Sequence, residues 1–594
     1  MRDLELGLIG NCAFCALVDT RAEMVWACLP RFDGDPVFCS LLRSEDSCDK
    51  GYFSIDMVEF TSSQQRYERN TAILVTTLHD KHGAELEITD FAPRFKSLGR
   101  MFRPTTLIRR IRPVRGLPRI TLRLRPSGDY GARSPDTTSG SNHIRYLLPG
   151  QVLRLTTNAS TTALLDETGF LVDREIVLVL GPDESLPRPV EEVAREFQAE
   201  TSSYWREWVR YLSLPLEWQE AVIRSAITLK LSTFEDTGAV IAAATTSIPE
   251  SASSQRNWDY RFCWLRDSYF VVNALNRLGA TRTMEDYIHF VVNIGSVSAD
   301  NHLCPVYRIN GRLDLDERTV TTLAGYRGIG PVRVGNDAHR QKQHDVYGAV
   351  ILAAAQAFFD ERLERPGDMD LYARLEILGE LAAKLFDQPD AGLWELRGSS
   401  HVHTFSSVMC WAACDRLARI GLRLGLTQRV AHWSQQAERL RDTILARAWN
   451  KKRGSFTATF DGDSLDASLL LLAELGIVPA DDPRFAGTVQ AVEKELKRGD
   501  YIFRYVQSDD FGEPQNAFSL CTFWYINALV LLGRRQEART IFEHMLARRT
   551  RLGLLSEHID PASGELWGNF PQTYSMVGII HSAMLLSKPW EQAF

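Results

Sequence analysis

Hydrophobic and polar residues alternate with a period of two from the start of the chain to about residue 190. The alternation is clearest in 84–90 (AELEITD), 106–112 (TLIRRIR), 120–125 (ITLRLR) and 173–180 (DREIVLVL). Such a pattern puts the apolar side chains on one face of a strand. Gly and Pro interrupt the runs at 116–118, 126–128 and 181–182, as turns require. An antiparallel β-sandwich follows. Residues 189–212 open with Pro189 and acids and then place Val193, Phe197, Tyr204, Trp208 and Tyr211 near helical spacing, which predicts a connecting helix. Beyond residue 215 the period becomes 3.6. Twelve amphipathic stretches lie between 217 and 588, among them 268–279, 343–364 and 464–475.

Twelve helices separated by loops that hold the unusual residues fit six helical hairpins closed into a ring. A plain solenoid would call for a repeat of fixed length, and none is visible. The expected fold is therefore multidomain β + α. It comprises an N-terminal antiparallel β-sandwich (1–188), a helical linker (189–215) and an (α/α)6 barrel, a six-hairpin toroid (216–594). A chain of 594 residues is too long for a single core, which agrees with this division.

Composition narrows the function. The chain is 44% hydrophobic and 24% charged, with 68 Lys and Arg against 75 Asp and Glu. A mildly acidic globular protein without a basic cluster is a poor match to nucleic acid or a membrane surface. Arg2, Asp3 and Glu5 stand where a secretory signal needs an apolar core, and no later apolar run has the length of a membrane span, so a cytoplasmic location is expected. Five of ten cysteines (Cys12, Cys15, Cys28, Cys39, Cys48) fall in the first fifty residues. Cys12-x-x-Cys15 has a zinc-like step, but no second pair or His follows at ligand spacing, so small buried thiols are expected. His401-x-His403 lacks a third ligand, and Cys521 lies in an apolar helix without an obvious His or Asp partner. No metal and no cofactor are expected.

Three segments carry chemistry. Asn257–Tyr269 (NWDYRFCWLRDSY) crowds Trp258, Tyr260, Trp264, Arg266 and Asp267 into one loop. An Arg-Asp pair beside aromatics can bind vicinal hydroxyls while a ring covers the apolar face of a sugar. Asp267 and Ser268 could instead cap a helix beginning near Tyr269, which would leave the aromatics and Arg266 unexplained. Pro389–Gly398 (PDAGLWELRG) presents Glu395 between Trp394 and Arg397. A carboxyl beside an indole loses hydration, which favours the neutral form a general acid needs. Gly553–Pro561 (GLLSEHIDP) presents Glu557. Either glutamate alone could be an ordinary loop acid. Together they suit an inverting glycosidase, whose carboxyls stand roughly 6.5 to 9.5 Å apart so that a water fits between base and sugar.

With these motifs the chain resembles glycoside hydrolase family 15, the group of glucoamylases and bacterial trehalases. NWDYRFCWLRDSY is similar to the family's nonreducing-end sugar pocket, LWELRG to its general-acid loop and LLSEHIDPASGELWGNFPQTYS to its general-base segment. Ile9–Leu42 resembles the start of the trehalase-like sandwich. Gly238–Glu250, Pro331–Gly348 and Ala517–Leu529 extend the likeness over nearly the whole chain.

The resemblance implies Glu395 as general acid and Glu557 as general base of an inverting reaction. It implies Arg266 and Asp267 on the hydroxyls of the terminal glucose, Trp264 lining that subsite, Tyr260 near the reacting carbon and Arg504 as a pocket arginine. Trp394 and Arg397, flanking the acid, are included among the expected substrate-binding residues. Leu396 stands where fungal glucoamylases carry a second Glu, and His558-Ile559 where an amide or acid and an aromatic are usual.

The implied activity is exo-hydrolysis of an α-glucoside, with α,α-trehalose favoured by the sandwich and the altered leaving-group side. A glucoamylase-type enzyme for maltose, isomaltose or longer α-glucans is the alternative. A non-catalytic carbohydrate-binding protein is the alternative of another class, and both glutamates and the Arg-Asp pair speak against it. The expected partner is a small carbohydrate, and a homo-oligomer is compatible with this reading.

Overall fold

The computed structural model describes residues 3–44, 49–295 and 302–592. Its first part is two packed antiparallel sheets. One has eight strands in the order 136–139, 143–148, 151–157, 176–182, 107–115, 85–91, 74–80 and 60–67. The other has seven, ordered 7–10, 15–18, 24–28, 52–57, 119–125 and 170–171, with 36–38 paired to 24–28. Ile9, Ala16, Met24, Ile55 and Leu122 of the second sheet share a core with Leu78, Ile88, Ile111, Leu155 and Leu178 of the first.

Every residue of Gly7–Gly10, Cys15–Val18 and Met24–Cys28 is buried. The reason lies on the other face of this sheet, where Leu8, Cys15, Leu17, Trp26 and Cys28 enter the core of the helical part. Strands covered on both faces read as continuous apolar runs rather than alternation. Cys12, Cys15, Cys28 and Cys39 are buried in these layers, whereas Cys48 lies outside the described residues. Among the described residues no group of three or more His, Cys, Asp and Glu is arranged to hold a metal, and no helix is long and apolar enough to cross a membrane.

Helix Val190–Arg210 joins the two parts. Val190 and Ala194 pack on Phe91, Ile108 and Val177 of the eight-stranded sheet and on Ile73, just before one of its strands, while Trp205 and Val209 enter the helical core. Six inner helices follow: Leu265–Arg277, Asp345–Ala355, Thr404–Arg423, the composite 467–475, Ser519–Leu531 and Thr573–Leu586. Each contacts the next, and the last closes on the first. Gln219–Leu231, Thr281–Gly295, Met369–Leu385, Thr427–Arg447, Pro483–Leu496 and Arg535–Ala547 form the outer ring. Position in the ring explains their composition. Ser519 through Leu529 are all buried in an inner helix, whereas Thr427–Arg447 buries only Trp433, Leu440 and Ile444, the one-sided stripe of an outer helix.

Three elements differ from the sequence expectation. The helix expected near Tyr269 begins at Leu265, because Trp264 is extended and pairs with Val306 immediately before it. Asp267 therefore sits in the first turn, and Ser268 donates its hydroxyl to the Trp264 carbonyl at 2.7 Å instead of capping. The stretch 464–475 is a 3₁₀ turn, Ala467–Leu471, followed by the short helix Leu472–Leu475. Asp466 caps the turn through the Ser468 N–H, and Gly476 ends the helix at φ 91°. The stretch 343–364 is helical only to Ala355, with a 3₁₀ turn at Gln356–Phe358.

Two inner helices approach so closely at Gly348 that a Cβ there would lie 2.3 Å from the Met409 carbonyl oxygen. Backbone cannot yield as a flexible side chain does. Gly348→Ala should therefore lower stability by about 1–3 kcal/mol, as overpacking does, read as a fall in the urea midpoint at unchanged slope.

Candidate active site

The first turns of the inner helices gather at one end of the ring, and the loops leading into them carry the distinctive residues. Tyr260, Trp264, Arg266, Asp267, Trp394, Glu395, Arg397, Arg504 and Glu557, distant in sequence, all line one cavity there. Local alternation positions the first of them. In the extended segment before Leu265, Tyr260 and Trp264 face the cavity, whereas Arg261 and Cys263 are fully buried on the other side.

Each of the two glutamates is held by one of these aromatics. Trp264 donates its indole N–H to Glu395 Oε1 at 2.7 Å, and the Tyr260 hydroxyl donates to Glu557 Oε1 at 2.8 Å. The two rings meet edge to face at 5.4 Å, so one rigid pair sets both carboxyl groups. Burial and the Glu557, Glu250 and Glu395 carboxylates hold the Tyr260 phenol well above its usual range, which keeps it a donor. Glu395 has backbone φ 58°, a left-handed conformation that is strained for a residue with a side chain. Strain of this kind concentrates at functional sites. Glu557 is 3% exposed, and its carbonyl accepts the Ser519 N–H at the start of an inner helix.

Arg266 ties the Glu395 loop to a neighbouring helix. Its Nη1 donates to Gln343 at 2.8 Å and to Asp345 at 2.9 Å, and its Nη2 lies 3.4 Å from Glu395 Oε1. Gln343 also approaches Glu395 Oε1 at 3.3 Å, and Gln341 donates to the Glu395 carbonyl at 3.2 Å. Burial raises the Asp267 carboxyl to about 7, with the Glu395 charge adding to the rise and Arg266 opposing it. Trp394 leans on Tyr505, Phe518 and Trp524 and donates to Asp466 at 3.0 Å. Arg397 lies at the rim, stacked 4.1 Å over Trp258 and paired with Glu317. Arg504 is engaged by Glu250 through two bonds of 3.0 and 2.9 Å.

Several residues that line the cavity or hold its walls carry no individual signal in the sequence. Gln343 and Asp345 fall in Pro331–Gly348 and Glu250 ends Gly238–Glu250, both segments that carried the family likeness without an assigned role. Asp509 and Asp510 carried no such signal. They line the cavity beside Arg397, with Asp509 bonded to Arg256 and Tyr505, and Asp510 accepting the N–H groups of Arg397 and Gly398 at 2.9 and 2.8 Å.

The sandwich supports this wall. The Arg261 guanidinium, fully buried, pairs with Asp259 at 2.7 Å and reaches across to the Gly34 carbonyl at 2.6 Å and the Tyr130 hydroxyl at 3.2 Å. Arg261→Leu would leave Asp259 charged and unpaired in the core, which costs about 3–5 kcal/mol. A large loss of denaturant resistance is expected. Turnover of the remaining folded enzyme should also fall, because Tyr260 and Trp264 lie on the same short segment as Arg261.

A closed ring of helices with two aromatic-held carboxyl groups lining one cavity is the arrangement of a glycoside hydrolase. Family models agree: Glycosyl hydrolases family 15 matches residues 218–584, and Trehalase-like, N-terminal matches residues 4–146. The chain belongs to glycosyl hydrolase family 15. It is 31% identical to the trehalase of Thermoplasma volcanium, over 98% of this chain and 93% of that one. It is 32% identical to the trehalase of Thermoplasma acidophilum, over 97% and 98%, and 31% identical to that of Mycobacterium tuberculosis, over 97% and 88%. A bacterial glucoamylase solved with acarbose shares the fold at TM-score 0.70 and 13% identity, over 98% of this chain and 93% of that one.

Proposed function

We propose that the protein is an α,α-trehalase that hydrolyses trehalose to two glucose molecules with inversion. The observation that carries the reading is the pairing of Trp264 with Glu395 and Tyr260 with Glu557 on one aromatic unit at the end of the ring. Glu395, on the strained turn, protonates the glycosidic oxygen as it leaves. Glu557 takes a proton from the water that attacks the anomeric carbon from the opposite face. Arg266 and Asp267 hold the hydroxyls of the glucose whose bond breaks, contacts that tighten as its ring flattens.

Relatives named trehalase that align over nearly the full chain support trehalose as substrate. So does the placement of Asp509 and Asp510 at the cavity, anchored to Arg256 and to the acid loop, because side chains fixed there leave less room for a long glucan than for a short leaving sugar. The cytoplasm is the proposed compartment.

Trehalose, maltose, isomaltose and soluble starch offered in parallel test the reading. Glucose should be released fastest from trehalose, and starch cleaved more efficiently than trehalose would give the function to a glucoamylase-type enzyme. Proton NMR of the first products should show equal β- and α-glucose from trehalose, the α-anomer being the leaving sugar. Initial α-glucose alone would exclude inversion.

A further inference from the structure

His558 follows the proposed base directly and is 1% exposed. Its backbone pairs with Phe518 and Trp567 in a small sheet of strands 517–518, 558–559 and 566–567. Its ring lies flat on Phe518, 5.1 Å away at 24°, and does not line the sugar cavity. Two carboxylates face its two nitrogens: Nδ1 is 3.4 Å from Glu557 Oε2, and Nε2 is 3.9 Å from Glu250 Oε2. Nδ1 is buried and makes no hydrogen bond of normal geometry, with Glu557 Oε2 the acceptor it faces at 3.4 Å, and a buried donor left unpaired is costly.

Gly568 accounts for the close approach. It has φ 78°, and a Cβ there would lie 2.9 Å from both Glu557 Oε2 and His558 Nδ1. On the other side, the Tyr260 hydroxyl already holds Oε1. Glu250 is in turn fixed by Arg504 at two points, and Arg504, His558 and Arg256 together outweigh burial to keep its carboxyl below the usual range. A line of contacts thus runs from Arg504 through Glu250 and His558 to the oxygen of Glu557 that Tyr260 leaves unheld.

We propose that His558 is a positioning residue for Glu557. Its Nδ1–H fixes Oε2 while Tyr260 fixes Oε1, so the carboxylate meets the attacking water in a single orientation. This inference rests on Glu557 acting as the general base. The charged and titratable groups around the ring are Glu557 and Glu250 at its nitrogens, Arg504 and Arg256 behind Glu250, and Tyr260 across Glu557; Phe518 carries no charge.

The chemistry supplies its own control. An asparagine at this position places an amide N–H where Nδ1 lies, glutamine places one nearer Nε2, and leucine provides none. His558→Asn should keep kcat within a few-fold. His558→Gln and His558→Leu should lower it roughly 10- to 100-fold, the scale of a small misplacement, with KM nearly unchanged because the ring does not touch substrate. The acid limb of kcat/KM should move to higher pH in the same two variants, since a carboxylate that loses a donor is protonated more readily.

Equal losses in all three, or normal kcat in His558→Leu, would overturn the proposal. Should the leucine variant fail to fold, the contrast between asparagine and glutamine decides it alone. Glu557→Gln, measured alongside, separates the two ideas. If it stays fully active, the assignment of the base fails. If it is inactive while His558→Leu turns over normally, only the positioning role fails.

Discussion

Glu395→Gln and Glu557→Gln are each expected to lower kcat by about 10² to 10⁴, the worth of a positioned acid or base, while leaving the fold intact. The surroundings explain why the damage should be confined to chemistry. A glutamine oxygen at 395 can still accept the Trp264 N–H, and one at 557 can still accept the Tyr260 hydroxyl. Neither change alters volume, so melting temperatures should stay within a few degrees. What disappears is the proton that Glu395 is proposed to give or the lone pair with which Glu557 is proposed to remove one. Assays on trehalose with an aryl α-glucoside beside it refine the test. A good leaving group needs little protonation, so it should restore much of the rate in Glu395→Gln and little in Glu557→Gln. Near-normal turnover in either variant would remove that residue from the mechanism.

Arg266→Lys is expected to reduce kcat/KM by about 10²-fold on every substrate the enzyme accepts. Arg266 reaches Gln343, Asp345 and Glu395 from one planar group, and a lysine ammonium cannot span three acceptors in that geometry. Both the sugar contact and the orientation of the acid loop should suffer, and misplacement on this scale costs factors of this size. Asp267 beside it adds a pH signature. With its carboxyl raised to about 7 by burial, the charged form proposed to accept sugar hydroxyls is lost as pH falls through that value. KM should therefore rise toward acid pH in the wild type, and the dependence should flatten in Asp267→Asn. A loss on trehalose alone, with maltose and isomaltose unaffected, would move Arg266 to the leaving-sugar side.

Local sequence determined much of this protein. Alternation over 84–90 and 106–112 specified the strands Glu85–Phe91 and Leu107–Arg115, because a half-covered sheet leaves one face to water. The 3.6 period specified most outer helices for the same reason. The three loops at Trp258–Asp267, Trp394–Arg397 and Glu557 stood out because their aromatic and charged residues served no local purpose.

Tertiary structure alone decided what alternation cannot encode. The strands from Gly7 to Cys28 are covered on both faces, and that second cover comes from helices hundreds of residues away. The early start of the helix at Leu265 depends on Trp264 pairing with Val306, a partner no local pattern names. The sharing of Glu395 by Trp264, Arg266 and Gln343, and the approach of His558 to Glu557 beside Gly568, arise because closing the ring brings loops from different hairpins to one point. A sequence motif shows which groups are present, but distances between groups on separate loops are set only when the whole ring packs.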